Sequence, residues 1–498
     1  MRQFSLPYLL HASRRLFSRP EKHRPSRRPE NWPPSSGTPI GPAATFSPDP
    51  ALIESYAHID HEDVSNITKP RDNLILYKDI PYSQYLGEWQ FHPNRIGAYL
   101  AATKISPELI RIATKVLEHC VELPNGGLAL YYPATIRAAR LQVNEPIYSA
   151  MSQAQLLAGY TKLALDDPKS GGAAVDWRDV AARLTTAMMF PFEQGGVCVD
   201  GNVLLETPNF RACPEFILNG WLDALLHLDD YARLFPTREV GDFYRRNLDA
   251  LCELLPVFDD ENARLSLYSD LCPYEFRVHF NEAMKTMVPR VTVEYLPVDS
   301  RRAAYCIEDL WLASDTPRNC IYENKIVKCR SSHMDLALSA SSSYEIRIHV
   351  AADCRNISFD PGSFDARSTV PNPTLKTRSV LPETNYDGTL TTFRINPVQQ
   401  RLLAGCPTNF LKKGQNFYHM YHVVALYELA LTSSMPAQRK VLTDMAARWH
   451  AYTLGAAQDR GRGTFFEPDI FTKKIARFRA DGHQHSFDEL RRNAVRSA

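Results

Sequence analysis

The 498-residue sequence is 44% hydrophobic and 23% charged with a formal net charge of +1, a balance that rules out a chain too polar to build a core and gives no global field for nucleic acid or a membrane surface. The length favours two or three folding units over one. Ten cysteines, dispersed from Cys120 to Cys406, form no Cys-x-x-Cys pair and no Cys/His cluster at zinc spacing, which indicates neither a disulfide framework nor a structural metal and points to a reducing, cytoplasmic setting over a secretory one.

Residues 1–50 read as a disordered, basic, proline-rich arm. Arg2, Arg14, Arg15, Arg19, Lys22, Arg24, Arg27 and Arg28 outnumber Glu21 and Glu30, and prolines crowd from Pro20 to Pro50, a composition that buries little apolar area. Phe4 to Leu10 is too short and proline-broken for a secretory core, and nothing approaches the roughly 18 apolar residues of a membrane span.

Helical patterning begins at Ser106-Pro107, a cap followed by a preorganised first turn, with Leu109, Ile112, Ala113, Val116 and Leu117 at helical spacing. The same reading covers 148–164, 176–190, 215–234 and 237–255, and short connectors make these antiparallel pairs. Between them, 191–208 holds Gly195-Gly196, the alternating run Val197 to Asp200 and Gly201, and reads as a hairpin-like excursion. Period-two alternation then marks Val291–Tyr295, Lys325–Lys328, Tyr344–Val350 and Thr391–Ile395, separated by Pro, Asn, Ser and Gly clusters. Helical spacing returns at 417–431 and 436–454. The expected fold is multidomain α+β: an (α/α) toroid of antiparallel helix pairs interrupted by an inserted β-sandwich-like domain. Its parts are 51–284 (an N-terminal extension and the first part of the toroid), 285–410 (the β-rich insert) and 411–498 (final helices and tail).

A set of motifs carries a resemblance. Tyr148-Ser-Ala-Met-Ser-Gln153, Pro191-Phe-Glu-Gln-Gly-Gly-Val197, Glu206-Thr-Pro208, Phe216-Ile-Leu-Asn-Gly220, Leu255-Pro256, Tyr268-Ser-Asp-Leu271 and Tyr418-His419-x-x-His422 follow one another in the order of the D-glucuronyl C5-epimerase family. Weaker echoes precede them in Ile80-Pro81, Phe91-His-Pro93 and Leu130-Tyr-Tyr-Pro133. The chain resembles the C-terminal catalytic domain of the heparosan and heparan sulfate epimerases as a divergent member. The animal enzymes carry Glu-Tyr-Pro where this chain has Glu206-Thr207-Pro208, so one phenol is missing. A further departure is the β-rich segment, which in the family precedes the helical domain.

The resemblance implies inversion at carbon 5 of D-glucuronate within a polymer. That chemistry removes a proton α to a carboxylate and returns one to the opposite face, which needs two acid/base groups and neutralisation of the growing enolate, with no redox cofactor. It implies Glu206, Tyr268 and Tyr418 as the catalytic set, and Tyr148, Gln153, Asn219 and Tyr132 as substrate-binding positions, with His419 and His422 as supports. Arg95 and Arg277 are the cationic candidates for the uronate, since guanidinium forks suit carboxylates. His419 and His422, neighbours at i and i+3, also fit a metal pair that lacks a third local ligand, and no metal is assigned. The expected partner is an anionic uronic-acid polysaccharide, with no nucleic acid, no integral membrane segment and a homodimeric assembly. Two other functions stay open at this level: a uronate lyase, whose β-elimination starts with the same proton abstraction, and a non-catalytic uronan-binding protein.

Overall fold

The computed structural model describes residues 46–458, except 58, 60–66, 72–73, 86–87, 134–136, 139–140, 143–145, 167–174, 207–215, 262–263, 285–290, 298–304, 311–312, 315–319, 324–325, 340–343, 361–377, 396–410 and 413–414. The expected basic arm up to residue 45, the tail after 458 and the Thr207-Pro208 pair lie outside the described residues; the end of the expected arm, from Phe46, is described, and Phe46 docks on the fold, its N donating to Gln194 O at 2.8 Å and its ring meeting Phe190. No helix among the described residues is long and apolar enough to cross a membrane.

The helices are α1 (Pro50–Ala57), α2 (Pro93–Ala102), α3 (Pro107–Leu117), α4 (Ala150–Asp166), α5 (Trp177–Met188), α6 (Leu218–Leu234), α7 (Arg238–Leu254), α8 (Phe417–Thr432) and α9 (Pro436–Gln458). Local chemistry sets their starts. The Ser106 side chain accepts from Leu109 N, Asp176 accepts from Arg178 N and Asp179 N, and Thr237 accepts from Val240 N, each satisfying amides that have no partner inside the helix. α4, α6 and α8 form a row, α4 against α6 and α6 against α8, while α5, α7 and α9 each pack on the helix before them and α2 flanks α4. α2 lies unusually close to α4, because a Cβ on Gly97 would meet the Leu156 nitrogen at 2.5 Å; glycine is what allows that approach.

One buried core runs through all of this. It takes in Ile53 and Tyr56 of α1 and residues of β2, β3 and β4 in a sheet that the sequence reading missed, the antiparallel meander β1 (Ile67–Arg71), β2 (Leu74–Tyr77), β3 (Ile80–Tyr85) and β4 (Glu88–Phe91). It continues through Leu156, Trp221 and Leu225 to Leu426 and Trp449, so α8 and α9 belong to the same body as the earlier helices although more than a hundred residues intervene.

The intervening segment is β-rich with its own apolar centre. After two short ladders, β5 (Cys198–Val199) with β6 (Val203–Leu204) and β7 (Asp259–Asp260) with β8 (Leu265–Ser266), come the long strand β9 (Leu271–Met284), β10 (Val291–Pro297), β11 (Tyr305–Leu310), β12 (Ala313–Ser314), β13 (Cys320–Glu323), β14 (Ile326–Ser339), β15 (Tyr344–Val350), β16 (Cys354–Asp360), β17 (Arg378–Val380) and β18 (Thr391–Ile395). They make two antiparallel sheets, one in the order β12-β14-β9-β16-β17 with β13 also on β14, the other β11-β10-β15-β18. Val293, Ile348 and Phe393 stand in register across the second sheet and are buried. Thr391 ties the sheets together, donating to Ala352 O at 2.5 Å and accepting from Cys354 N at 3.2 Å. The β-rich part therefore starts at Leu271, fourteen residues before the boundary at 285 expected from the sequence. The reason is physical: Tyr274, Phe276, Val278 and Phe280 alternate with Glu275, Arg277, His279 and Asn281, a period-two face that sheet pairing uses.

Candidate active site

Glu206 leaves the β5–β6 hairpin at the point where the hairpin meets the start of α4. Leu205 N donates to Val197 O at 2.9 Å, and Ala150 N, at the first turn of α4, donates to Leu205 O at 2.9 Å. The backbone before the carboxylate is thus held from both sides. Gly220, in the first turn of α6, lies flush on the carboxylate side chain, since a Cβ there would meet Glu206 Oε2 at 2.4 Å and its Cβ at 2.5 Å.

Tyr268 reaches the same place from the β8 strand. Leu218 N donates to Tyr268 O at 2.9 Å, Ile217 bridges Ser269, and the buried Asp270 carboxylate accepts Phe216 N at 2.7 Å. The two motifs Phe216-to-Gly220 and Tyr268-to-Leu271, about fifty residues apart, are therefore one structural unit. The Tyr268 phenol donates to Glu206 Oε1 at 3.4 Å, and the Tyr418 ring of α8 lies 4.6 Å from the Tyr268 ring, centroid to centroid. All three of these side chains are only partly buried. The expected catalytic trio is brought together.

His419 and His422 stand differently. Both are fully buried, and both grip Ser266, two residues before Tyr268. His419 Nε2 donates to the Trp449 carbonyl at 3.0 Å, so its Nδ1 is the acceptor for Ser266 N at 2.7 Å and for the Ser266 hydroxyl at 2.9 Å. The same hydroxyl then accepts from His422 Nδ1 at 2.8 Å, which leaves His422 Nε2 a buried acceptor. The histidines hold the segment that leads from Ser266 to Tyr268, and among the described residues no set of three His, Cys, Asp or Glu is placed to hold a metal. Replacing Ser266 by Ala should remove the shared hydroxyl and cost about 1–3 kcal/mol of stability, the range for leaving a buried polar partner unmatched. Urea unfolding of the variant checks this; a midpoint equal to the parent's would show that the bracket carries no stability.

Burial keeps these imidazoles neutral. It lowers the His419 pKa to about 4, against a pull upward from the Trp449 carbonyl, and holds His422 well below the usual imidazole range; it lowers His92 to about 3, helped by the nearby Arg95 charge. Unfolded histidine titrates near 6.5, so below that pH the unfolded chain binds more protons than the folded one and stability falls as the pH drops towards 4. Asp229 and Asp259, whose carboxyls burial raises, pull the other way only at the acid end. The melting temperature should therefore decline from about pH 6.5 to about pH 5; a flat profile across that interval would contradict buried neutral histidines.

Tyr132 joins the site from the other side. Its phenol sits 2.7 Å from the Ser152 hydroxyl and accepts from Asn94 N at 3.3 Å, with the His92 ring 5.1 Å away. Burial raises this phenol, the Glu206 charge raises it further and the Arg95 charge lowers it, which places Tyr132 within electrostatic reach of both. Arg95 itself donates to Gln84 O of β3 at 2.7 Å. The other expected binding positions are placed as follows. Tyr148 is fully buried and donates to Ala187 O at 3.1 Å; Gln153 spends its amide on Leu128 O at 2.7 Å and Leu130 N at 3.1 Å; Asn219 is buried beside Gly220. Arg277 lies on β9, in register with His333 and Ser358 of the neighbouring strands, and belongs to the β-rich part.

Sequence reasoning missed Ser266, Asp223 and Tyr421 as site residues, and the contact of Gly220 with Glu206. The Tyr421 phenol donates to Asp223 Oδ1 at 3.0 Å, and Gln155 Nε2 donates to Asp223 Oδ2 at 2.7 Å.

Residues 126–275 match the family model described as D-glucuronyl C5-epimerase C-terminus. This segment belongs to that family. No curated protein matches the chain. The C5-epimerase segment covers less than a third of the sequence, yet it contains Tyr132, Glu206, Asp223, Ser266 and Tyr268; it ends inside β9, where the β-rich part begins. Tyr418, His419, Tyr421 and His422 lie beyond it and return to it in space through Tyr268, Ser266 and Asp223. The epimerase character of the segment supports an isomerase-like activity for the protein.

Proposed function

We propose that the protein is a cofactor-independent polysaccharide epimerase that inverts carbon 5 of D-glucuronate residues, with heparosan-type polymer as the substrate class and Glu206, Tyr268 and Tyr418 as its acid/base set. The observation that carries the reading is the meeting of a carboxylate and two phenols from three distant parts of the chain, with Tyr268 Oη 3.4 Å from Glu206 Oε1 and the Tyr418 ring against Tyr268. The helix row α4–α6–α8 with its outer partners is read as an arc of an (α/α) toroid, and the two sheets as a β-sandwich-like insert.

In this mechanism one group of the set takes the carbon-5 proton and the electron pair moves into the uronate carboxylate. A phenol then returns a proton to the opposite face. Phenolic donors and Arg95 would stabilise the enolate where its charge grows, and the low-dielectric surroundings strengthen that effect. Glu206 accepts the Tyr268 hydrogen bond and so orients the phenol, and exchange with solvent restores the phenolic proton between turnovers.

Incubation with heparosan followed by depolymerisation and NMR of the uronates tests the reading. Iduronate is the expected product. An unsaturated, ultraviolet-absorbing uronate would show a lyase instead, and unchanged glucuronate with retained binding would show a uronan-binding protein.

A further inference from the structure

We propose that Tyr421 and Asp223, hydrogen-bonded at 3.0 Å, form a second acid/base pair of the same site. The inference rests on the epimerase reading and deepens it by assigning two further catalytic residues.

The geometry comes from two helices. On α6, Gly220 packs against Glu206 and Asp223 follows one turn later, about 4.5 Å along the axis on the same face. On α8, Tyr418 meets Tyr268 and Tyr421 follows three residues on, with its phenol on Asp223 at 3.0 Å. The pairs are two rungs of one ladder, Glu206–Tyr268–Tyr418 and Asp223–Tyr421. Asp223 is held firmly for this role, because Gln155 Nε2 binds its second oxygen at 2.7 Å and His227 Nε2 stands 3.9 Å from its first. Burial and the neighbouring Asp223, with smaller effects of the Glu428 and Glu206 charges, raise the Tyr421 phenol and keep it protonated.

The step balances as follows. Tyr421 Oη takes the proton from carbon 5 while its own proton passes to Asp223 Oδ1. The C5–H bond breaks and its electron pair enters the uronate carboxylate as an enolate. Tyr268 then gives its proton to the other face of carbon 5. Asp223 ends with one proton more and Tyr268 with one fewer, and exchange with solvent restores both.

The test uses the full chain with heparosan and with its iduronate-containing, carbon-5-inverted counterpart, each in deuterium oxide. Tyr421→Phe should lose at least ~100-fold of carbon-5 exchange from one epimer while exchange from the other persists. Tyr268→Phe should show the opposite preference. Asp223→Asn, which keeps an acceptor for the phenol but takes no proton, should repeat the Tyr421→Phe asymmetry; if it does not fold, Tyr421→Phe decides alone. Parent rates from both epimers in a folded Tyr421→Phe overturn the proposal and leave the epimerase reading standing. A parent protein that exchanges neither epimer overturns both.

Discussion

Tyr418→Phe should lower carbon-5 exchange on a uronate polymer by at least ~100-fold while leaving the melting temperature close to the parent's. The substitution keeps the ring that packs 4.6 Å from Tyr268 and removes only the hydroxyl. Losing a general acid or base costs about 10²–10⁴-fold, whereas a half-buried phenyl in place of a half-buried phenol changes little in packing. The two effects are thus separable. A variant that folds, binds polymer and exchanges at the parent rate would make Tyr418 a packing aromatic with no part in the chemistry.

Gly220→Ala should be the most damaging single methyl group near the site. In an ordinary helix interior alanine is favoured over glycine by about 1 kcal/mol, so a stabilised helix is the result expected if nothing else acts. Here the new Cβ would fall 2.4 Å from Glu206 Oε2, 2.5 Å from its Cβ and 2.8 Å from its Cγ. The carboxylate tip can swing away, but the Cβ and Cγ move only with the backbone that Ala150 and Val197 hold. Overpacking of this kind costs about 1–3 kcal/mol, and a displacement of ~1 Å in a reacting group costs on the order of 10²-fold in rate. Activity should fall by ~100-fold with a modest drop in stability. A Gly220→Ala protein as active as the parent would show that Glu206 tolerates displacement and does no proton transfer.

The sequence was legible where local chemistry decides. Ser106, Asp176 and Thr237 cap helices as their positions suggest, and the trio Glu206, Tyr268 and Tyr418 followed from motif order. It was less legible where long-range contact decides. The alternation of Tyr274 to Asn281 that makes β9 is plain in the residues, yet it sits directly after Tyr268-Ser-Asp270 and so reads as a continuation of the helical part. The β1–β4 meander escaped because Leu74–Tyr77 is buried at every position and shows no alternation. His419 and His422 read as groove residues from their spacing; only the fold shows that both turn to Ser266, a serine with no local mark. Asp223 and Tyr421 were invisible for the same reason: nothing within one helix says that a carboxylate and a phenol 198 residues apart are hydrogen-bonded.

The most direct measurement is carbon-5 exchange by the parent protein. Heparosan incubated with the full chain in deuterium oxide and followed by NMR should lose its glucuronate H5 signal as deuterium enters, with iduronate growing in and no ultraviolet-absorbing product. Retention of the full H5 signal by a folded protein that binds the polymer would contradict the account.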